Sequence, residues 1–147
     1  MKYIAYGSNL SLEQMAYRCP DARIEGKGML EGWKLKFRCH ATIERSEGSR
    51  VPVLVWEISR KDEKSLDRYE GYPHYYRKRK VKVTMTDLAG EKAREVTVMV
   101  YIMTESGEGG LPAASYYELL SEGYKRFGFD AEILVRAVEE AEEESGE

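Results

Sequence analysis

Lys2 to Tyr6 alternates as a short strand and runs into Gly7-Ser8-Asn9, a trio of turn formers. Ser11 and Gln14 stand at capping-box spacing and predict a helix through about Arg18, which Pro20 and Asp21 bring to a stop. Trp33 to Arg38 alternates with period two, so Trp33, Leu35 and Phe37 share one face of a strand. Val51 to Ile58 is a second, β-branched strand. Ser46 to Ser49 reads as the loop before it, and Pro52 marks a start or an edge. Ser59 is placed to cap a helix from Arg60 to about Glu70, with Leu66 and Tyr69 on one side and Gly71 closing it. Val81 to Thr86 alternates again, and Asp87 to Glu91 reads as a loop or hairpin turn. Val96, Val98, Val100 and Ile102 form one face of a strand from Glu95 to Met103. Beyond a Gly-rich stretch from Thr104 to Pro112, Ser115 and Glu118 predict a capped helix to about Phe127. Asp130 can cap a last helix that buries Ile133, Leu134, Ala137, Val138 and Ala141 and frays into acidic residues.

Strands that are mostly consecutive, interleaved with single helices, favour an α+β fold. The sheet is mixed or antiparallel and able to curl into a barrel, rather than doubly wound and parallel. The 147 residues suit a single domain, residues 1–147, with an acidic helical tail from about 130. At 42% hydrophobic and 33% charged residues the composition is that of a globular chain and not a disordered one. No apolar run reaches the length of a spanning helix, and the first residues lack the apolar stretch of a signal peptide. A cytoplasmic protein without membrane association is the expectation.

Charge and cysteines narrow the chemistry. Seven glutamates and one arginine lie between Glu132 and Glu147, so the body in front of them is mildly basic although the chain as a whole is −3. That balance does not suggest a nucleic-acid partner. The basic run Arg77-Lys78-Arg79-Lys80 reads instead as a solvated strand edge. Cys19 and Cys39 form no metal-binding spacing, and His40 and His74 are the only histidines, which argues against a zinc site.

Three segments carry candidate chemistry. Around Tyr6-Gly7-Ser8-Asn9, a strand, a glycine turn and a helix start converge several backbone N–H groups, which suits an anion or oxyanion; a plain capped connection is the structural alternative. Glu70 ends a helix, where partial negative charge disfavours a carboxylate. Facing inward, it would have a raised pKa and serve as a general acid and base; facing outward, it would be a solvated helix end. Asp67 is expected to cap or pair locally. Tyr116 and Tyr117 follow the Gly-rich loop; one is expected in the core and the other near a ligand, and spacing does not say which.

Four blocks in this order resemble the γ-glutamylcyclotransferase, or AIG2-like, family. They are Tyr3-Ile4-Ala5-Tyr6-Gly7-Ser8-Asn9-Leu10, Gly28 to Phe37, Leu66-Asp67-Arg68-Tyr69-Glu70-Gly71 and Tyr72-Pro73-His74-Tyr75-Tyr76-Arg77. The resemblance implies a small mixed β-barrel with flanking helices and a cavity at its mouth. It implies cyclisation of a γ-glutamyl amino acid to 5-oxoproline with release of the free amine, with neither metal nor organic cofactor. The family's catalytic glutamate falls on Glu70. Its substrate-cradling segment falls on Tyr3, Ile4, Ala5, Tyr6, Gly7 and Ser8, with Asn9 adjoining, and its late tyrosine on Tyr116. The Tyr-Gly-Ser-Asn spelling is similar to the branch acting on γ-glutamyl amino acids. A γ-glutamylamine cyclotransferase and a non-catalytic small-ligand module are the alternatives. The partner is a small γ-glutamyl molecule, and the protein is a monomer or homodimer.

Overall fold

The computed structural model describes residues 1–105 and 107–146; Ser106 in the Gly-rich loop and Glu147 in the acidic tail lie outside the described residues. Five strands close into a barrel in the order β1–β3–β2–β4–β5, with β1 at Lys2–Ala5, β2 at Arg23–Arg38, β3 at His40–Glu57, β4 at Tyr76–Thr86 and β5 at Ala93–Met103. All pairings are antiparallel except β1 with β5, which runs parallel through Tyr3 and Met99. The sheet is therefore mixed, and the buried core lies on both faces of the barrel wall, since the consecutive β3 residues Val53 and Leu54 are both fully buried. Four helices flank it: α1 at Leu12–Arg18, α2 at Arg60–Glu70, α3 at Ala114–Phe127 and α4 at Glu132–Ser145. None is long and apolar enough to cross a membrane among the described residues.

Two elements are longer than their patterns suggest. β2 starts at Arg23 rather than near Trp33; Gly26, Gly28 and Gly32 interrupt the alternation that would have marked its first half in the sequence. β3 absorbs the segment read as a loop. Arg45 pairs with Trp33 and Arg50 with Glu31, so Ser46 to Ser49 is an excursion within one strand, with Gly48 at φ +83. Gly26 is needed for backbone approach: a Cβ there would stand 2.3 Å from the Thr86 carbonyl oxygen on β4.

Helix ends set the orientation of the site. Ser59 and Asp62 form a reciprocal capping box at the start of α2, with distances of 3.1 Å in both directions. At its other end Gly71 adopts φ +66, with Gly71 N–H bonded to Arg68 O and Tyr72 N–H to Asp67 O, the Schellman pairing that terminates a helix on a left-handed residue. Ser11 caps α1 by accepting from Gln14 N–H at 3.3 Å. Ser115 does not cap α3: the helix starts one residue earlier, behind Ala113, and has no side-chain cap. Asp130 does satisfy the start of α4, accepting from Glu132 N–H at 3.0 Å. α3 lies close on the 3-10 turn Ser8–Leu10, since Gly123 leaves room for the Leu10 side chain where a Cβ would stand 2.8 Å away.

Gly26→Ala is expected to force the β2–β4 backbone apart and destabilise the chain by about 1–3 kcal/mol. A melting curve checks this, with a Tm lowered by several degrees; an unchanged Tm contradicts the close approach.

Candidate active site

The end of β1, the turn after it, the last turn of α2, the starts of β4 and α3 and the end of β5 converge on one cavity of about 210 Å³. That is smaller than the roughly 300–1,000 Å³ of pockets that take drug-sized ligands, and it suits a small polar molecule. The walls carry Glu70 and six tyrosines: Tyr3, Tyr6, Tyr69, Tyr76, Tyr101 and Tyr116. Gly7, Ser8, Asn9, His40 and Ala41 complete the rim and floor with Ile4. Of these residues only His40 and Tyr69 are exposed, so they mark the mouth.

Five of the six phenols are each held by a hydrogen-bond partner, which decides what they offer inside. Tyr6 Oη donates to the Tyr101 carbonyl at 2.7 Å, and Tyr76 Oη to the Ala41 carbonyl at 2.9 Å. Tyr101 Oη donates to Asp67 Oδ1 at 2.6 Å. These three present lone pairs to the cavity. Tyr116 Oη accepts from Ala41 N–H at 3.0 Å, and Tyr3 Oη accepts from Asn9 Nδ2 at 2.9 Å. Those two keep their own protons for an acceptor in the cavity. Burial holds all five neutral by pushing their pKa values up.

Gly7 sits where the turn meets α3. A Cβ on it would stand 3.3 Å from both Tyr116 Oη and Ala41 Cβ. The Ser8–Leu10 turn begins there, and the Ser8 and Asn9 amides have no acceptor within it.

Glu70 is the last residue of α2, half-buried, and faces the cavity. Desolvation raises its pKa from 4.5 to about 7, with Arg18 opposing the rise. The carbonyl end of α2 acts in the same direction as desolvation. Among the described residues no hydrogen bond holds the ionised form, so desolvation is opposed only by Arg18.

Most of the residues read from the sequence meet here. Tyr3, Ile4, Tyr6, Gly7, Ser8, Asn9, Glu70 and Tyr116 all line the cavity, while Ala5 is buried beside it at 1% exposure and contributes no wall. Tyr116 is the one of the adjacent pair that faces inward; Tyr117 packs against Phe37 with ring centres 6.3 Å apart. Asp67 pairs across the fold rather than locally, with Lys78 Nζ at 3.0 Å and with Tyr101. Sequence reasoning missed Arg18, Tyr69, Tyr76 and Tyr101. Tyr101 had a signal: it alternates with Met99 and Met103 on the strand face opposite Val98 and Val100, and a closed barrel needs both faces filled. Arg18 had none beyond being a basic residue in a last helical turn.

A family model described as gamma-glutamyl cyclotransferase, AIG2-like, matches residues 3–125. The chain belongs to that family. It is 32% identical to the gamma-glutamylcyclotransferase of Homo sapiens over 88% of this chain and 73% of that protein, and 32% identical to the Mus musculus protein with the same coverage. A solved structure named gamma-glutamyl cyclotransferase superposes with a TM-score of 0.79 at 29% identity, covering 93% of this chain and 85% of that one. The matched span takes in every wall of the cavity, from Tyr3 to Tyr116.

A family member with this carboxyl has a pH-dependent stability. Between 4.5 and about 7 the folded chain keeps a proton that the unfolded chain has released, so Glu70 makes stability fall as pH rises through that window. The full shift corresponds to about 3 kcal/mol at most, reduced to about 1–2 by partial solvent access. Glu70→Gln is therefore expected to melt a few degrees above the native chain at pH 8, and the gap is expected to close near pH 4. Equal melting temperatures at pH 8 contradict the burial of this charge.

Proposed function

We propose that the protein is a cofactor-independent cyclotransferase that converts a γ-glutamyl amino acid to 5-oxoproline and the free amino acid. The observation that carries this reading is Glu70, a carboxyl with a pKa raised to about 7, placed in a small phenol-walled cavity. Family membership supports the same chemistry.

The substrate's α-ammonium cannot attack until it loses a proton. Glu70, ionised in a useful fraction near neutral pH, takes it. The freed amine attacks the γ-carbonyl carbon of the same molecule, closing a five-membered ring. Both reacting groups belong to one molecule, so the cavity acts chiefly by selecting the folded conformer. The tetrahedral oxyanion and the α-carboxylate need donors. Tyr3 and Tyr116 keep protons free for them, and the amides of Gly7 and Ser8 adjoin. The new C–N bond forms and the old amide C–N bond breaks. Glu70 passes its proton to the leaving nitrogen, and the restored carboxylate takes the second proton from the ring nitrogen and hands it to the released amine, so the products are the neutral lactam and an ammonium group.

The mouth between His40 and Tyr69 is the exit for the leaving group. The two unpaired cysteines, Cys19 and Cys39, suit a reducing compartment and support a cytoplasmic location.

The test is 5-oxoproline release from γ-glutamyl amino acids and γ-glutamylamines, with glutathione included. Wild type is expected to release 5-oxoproline from the amino-acid series. Glu70→Gln is expected to lose a factor of about 10²–10⁴ in kcat while its affinity for substrate changes little. Turnover by Glu70→Gln at the native rate contradicts the assignment.

A further inference from the structure

Arg18 is no part of the cavity wall. It closes α1 from outside, yet its contacts end on three residues that form the wall. One guanidinium nitrogen donates to Asn9 Oδ1 at 2.6 Å and lies 3.5 Å from Ser8 Oγ. The carbon at the centre of the guanidinium stands 3.3 Å from the centre of the Tyr69 ring, a stacked cation–π contact. Tyr69 Oη in turn is 3.2 Å from Ser8 Oγ, which ties α2 to the same turn.

The consequence lies in the direction of one proton. An asparagine amide has two flips, and a guanidinium has only donors to offer it. With Arg18 on one side, Asn9 must present Oδ1 there. Its Nδ2 is then fixed toward Tyr3, to which it donates at 2.9 Å. Tyr3 Oη accepts that bond, so its own proton is left for the cavity. In the opposite flip, Asn9 Oδ1 would face Tyr3, the phenol would donate to it, and the cavity would see only lone pairs. Asn9 is 3% exposed and Tyr3 4%, so solvent does not supply an alternative donor.

We propose that Arg18 is a positioning residue, which locks the Asn9 amide so that Tyr3 donates its O–H to an oxygen of the γ-glutamyl unit. The role in turnover rests on the cyclotransferase reading; the lock itself does not. Arg18 acts through Asn9 and Tyr3 and touches no substrate atom. Its stacking on Tyr69 holds the guanidinium in the plane that this hydrogen bond requires.

The test is a double-mutant cycle on kcat/KM for 5-oxoproline release, using Arg18→Met, Tyr3→Phe and both together. Each single change is expected to lower kcat/KM by roughly 10- to 100-fold, the range for a misplaced contact near reacting atoms. In the Tyr3→Phe background, Arg18→Met is expected to cost less than about threefold more, because the proton it directs is already gone. Losses that multiply overturn the proposal, since a general structural role or a direct charge effect on Glu70 would be independent of Tyr3. Arg18→Gln, whose amide can offer Asn9 either an oxygen or a nitrogen and so no longer fixes its flip, repeats the cycle if the methionine variant fails to fold. Wild type without turnover on any γ-glutamyl substrate would sink the reading of function and leave the lock to be judged by NMR. The Asn9 side-chain amide is expected to be protected from exchange in the native chain and to lose protection in Arg18→Met with the backbone spectrum intact. An unchanged Asn9 amide overturns the lock.

Discussion

Removing a carboxyl group from water without giving it a hydrogen bond is unfavourable, and placing it at the carbonyl end of a helix adds to the penalty. Among the described residues, Glu70 meets both conditions. The chain holds it there because α2 is anchored independently at each end. The Ser59–Asp62 box fixes the start, Leu66 is fully buried beneath the middle, and Gly71 turns the chain sharply away after the last residue. A helix so determined leaves its final side chain no choice of direction. The result is a group whose proton is labile near neutrality, which a freely solvated glutamate at 4.5 is not.

Around this carboxyl the barrel supplies a second property, orientation of dipoles before any ligand arrives. Both backbone groups of Ala41 are used from inside the cavity, the carbonyl by Tyr76 and the amide by Tyr116. One strand residue therefore sets one phenol as an acceptor and another as a donor. Asp67 sets Tyr101 in the same manner, and Lys78, 3.0 Å from both Asp67 and Glu63, holds that carboxylate in place. Fixed dipoles of this kind need no reorganisation as charge develops on a substrate, and such stabilisation is usually the largest single term in catalysis.

Much of this was legible in the chain and some was not, for identifiable reasons. Capping at Ser11 and Ser59 and the left-handed stop at Gly71 depend on residues a few positions apart, so local spacing reveals them. Ser115 misled because Ser-x-x-Glu spacing does not say where a helix following Pro112 begins. The extent of β2 and the excursion at Ser46–Ser49 were hidden because both depend on which strand lies opposite, and pairing is not a local property. In the site, the Tyr-Gly-Ser-Asn turn stood out for its converging N–H groups and Glu70 for a carboxylate at the wrong end of a helix. Tyr76 and Tyr101 reach the cavity from strands far from it in sequence, and only closure of the barrel brings them to it, while Arg18 acts on the wall from outside through Ser8 and Asn9.

The central claim is that one glutamate, made basic by its surroundings, moves the proton that lets the amine attack. The pH dependence of kcat/KM for 5-oxoproline release tests it most directly, since this profile reports ionisations of the free enzyme and free substrate. The account predicts an acid limb with an apparent pKa of about 7, matching the titration of the Glu70 carboxyl followed by carbon NMR in the same protein. An acid limb near 4.5, or a Glu70 carboxyl that titrates there, would contradict it.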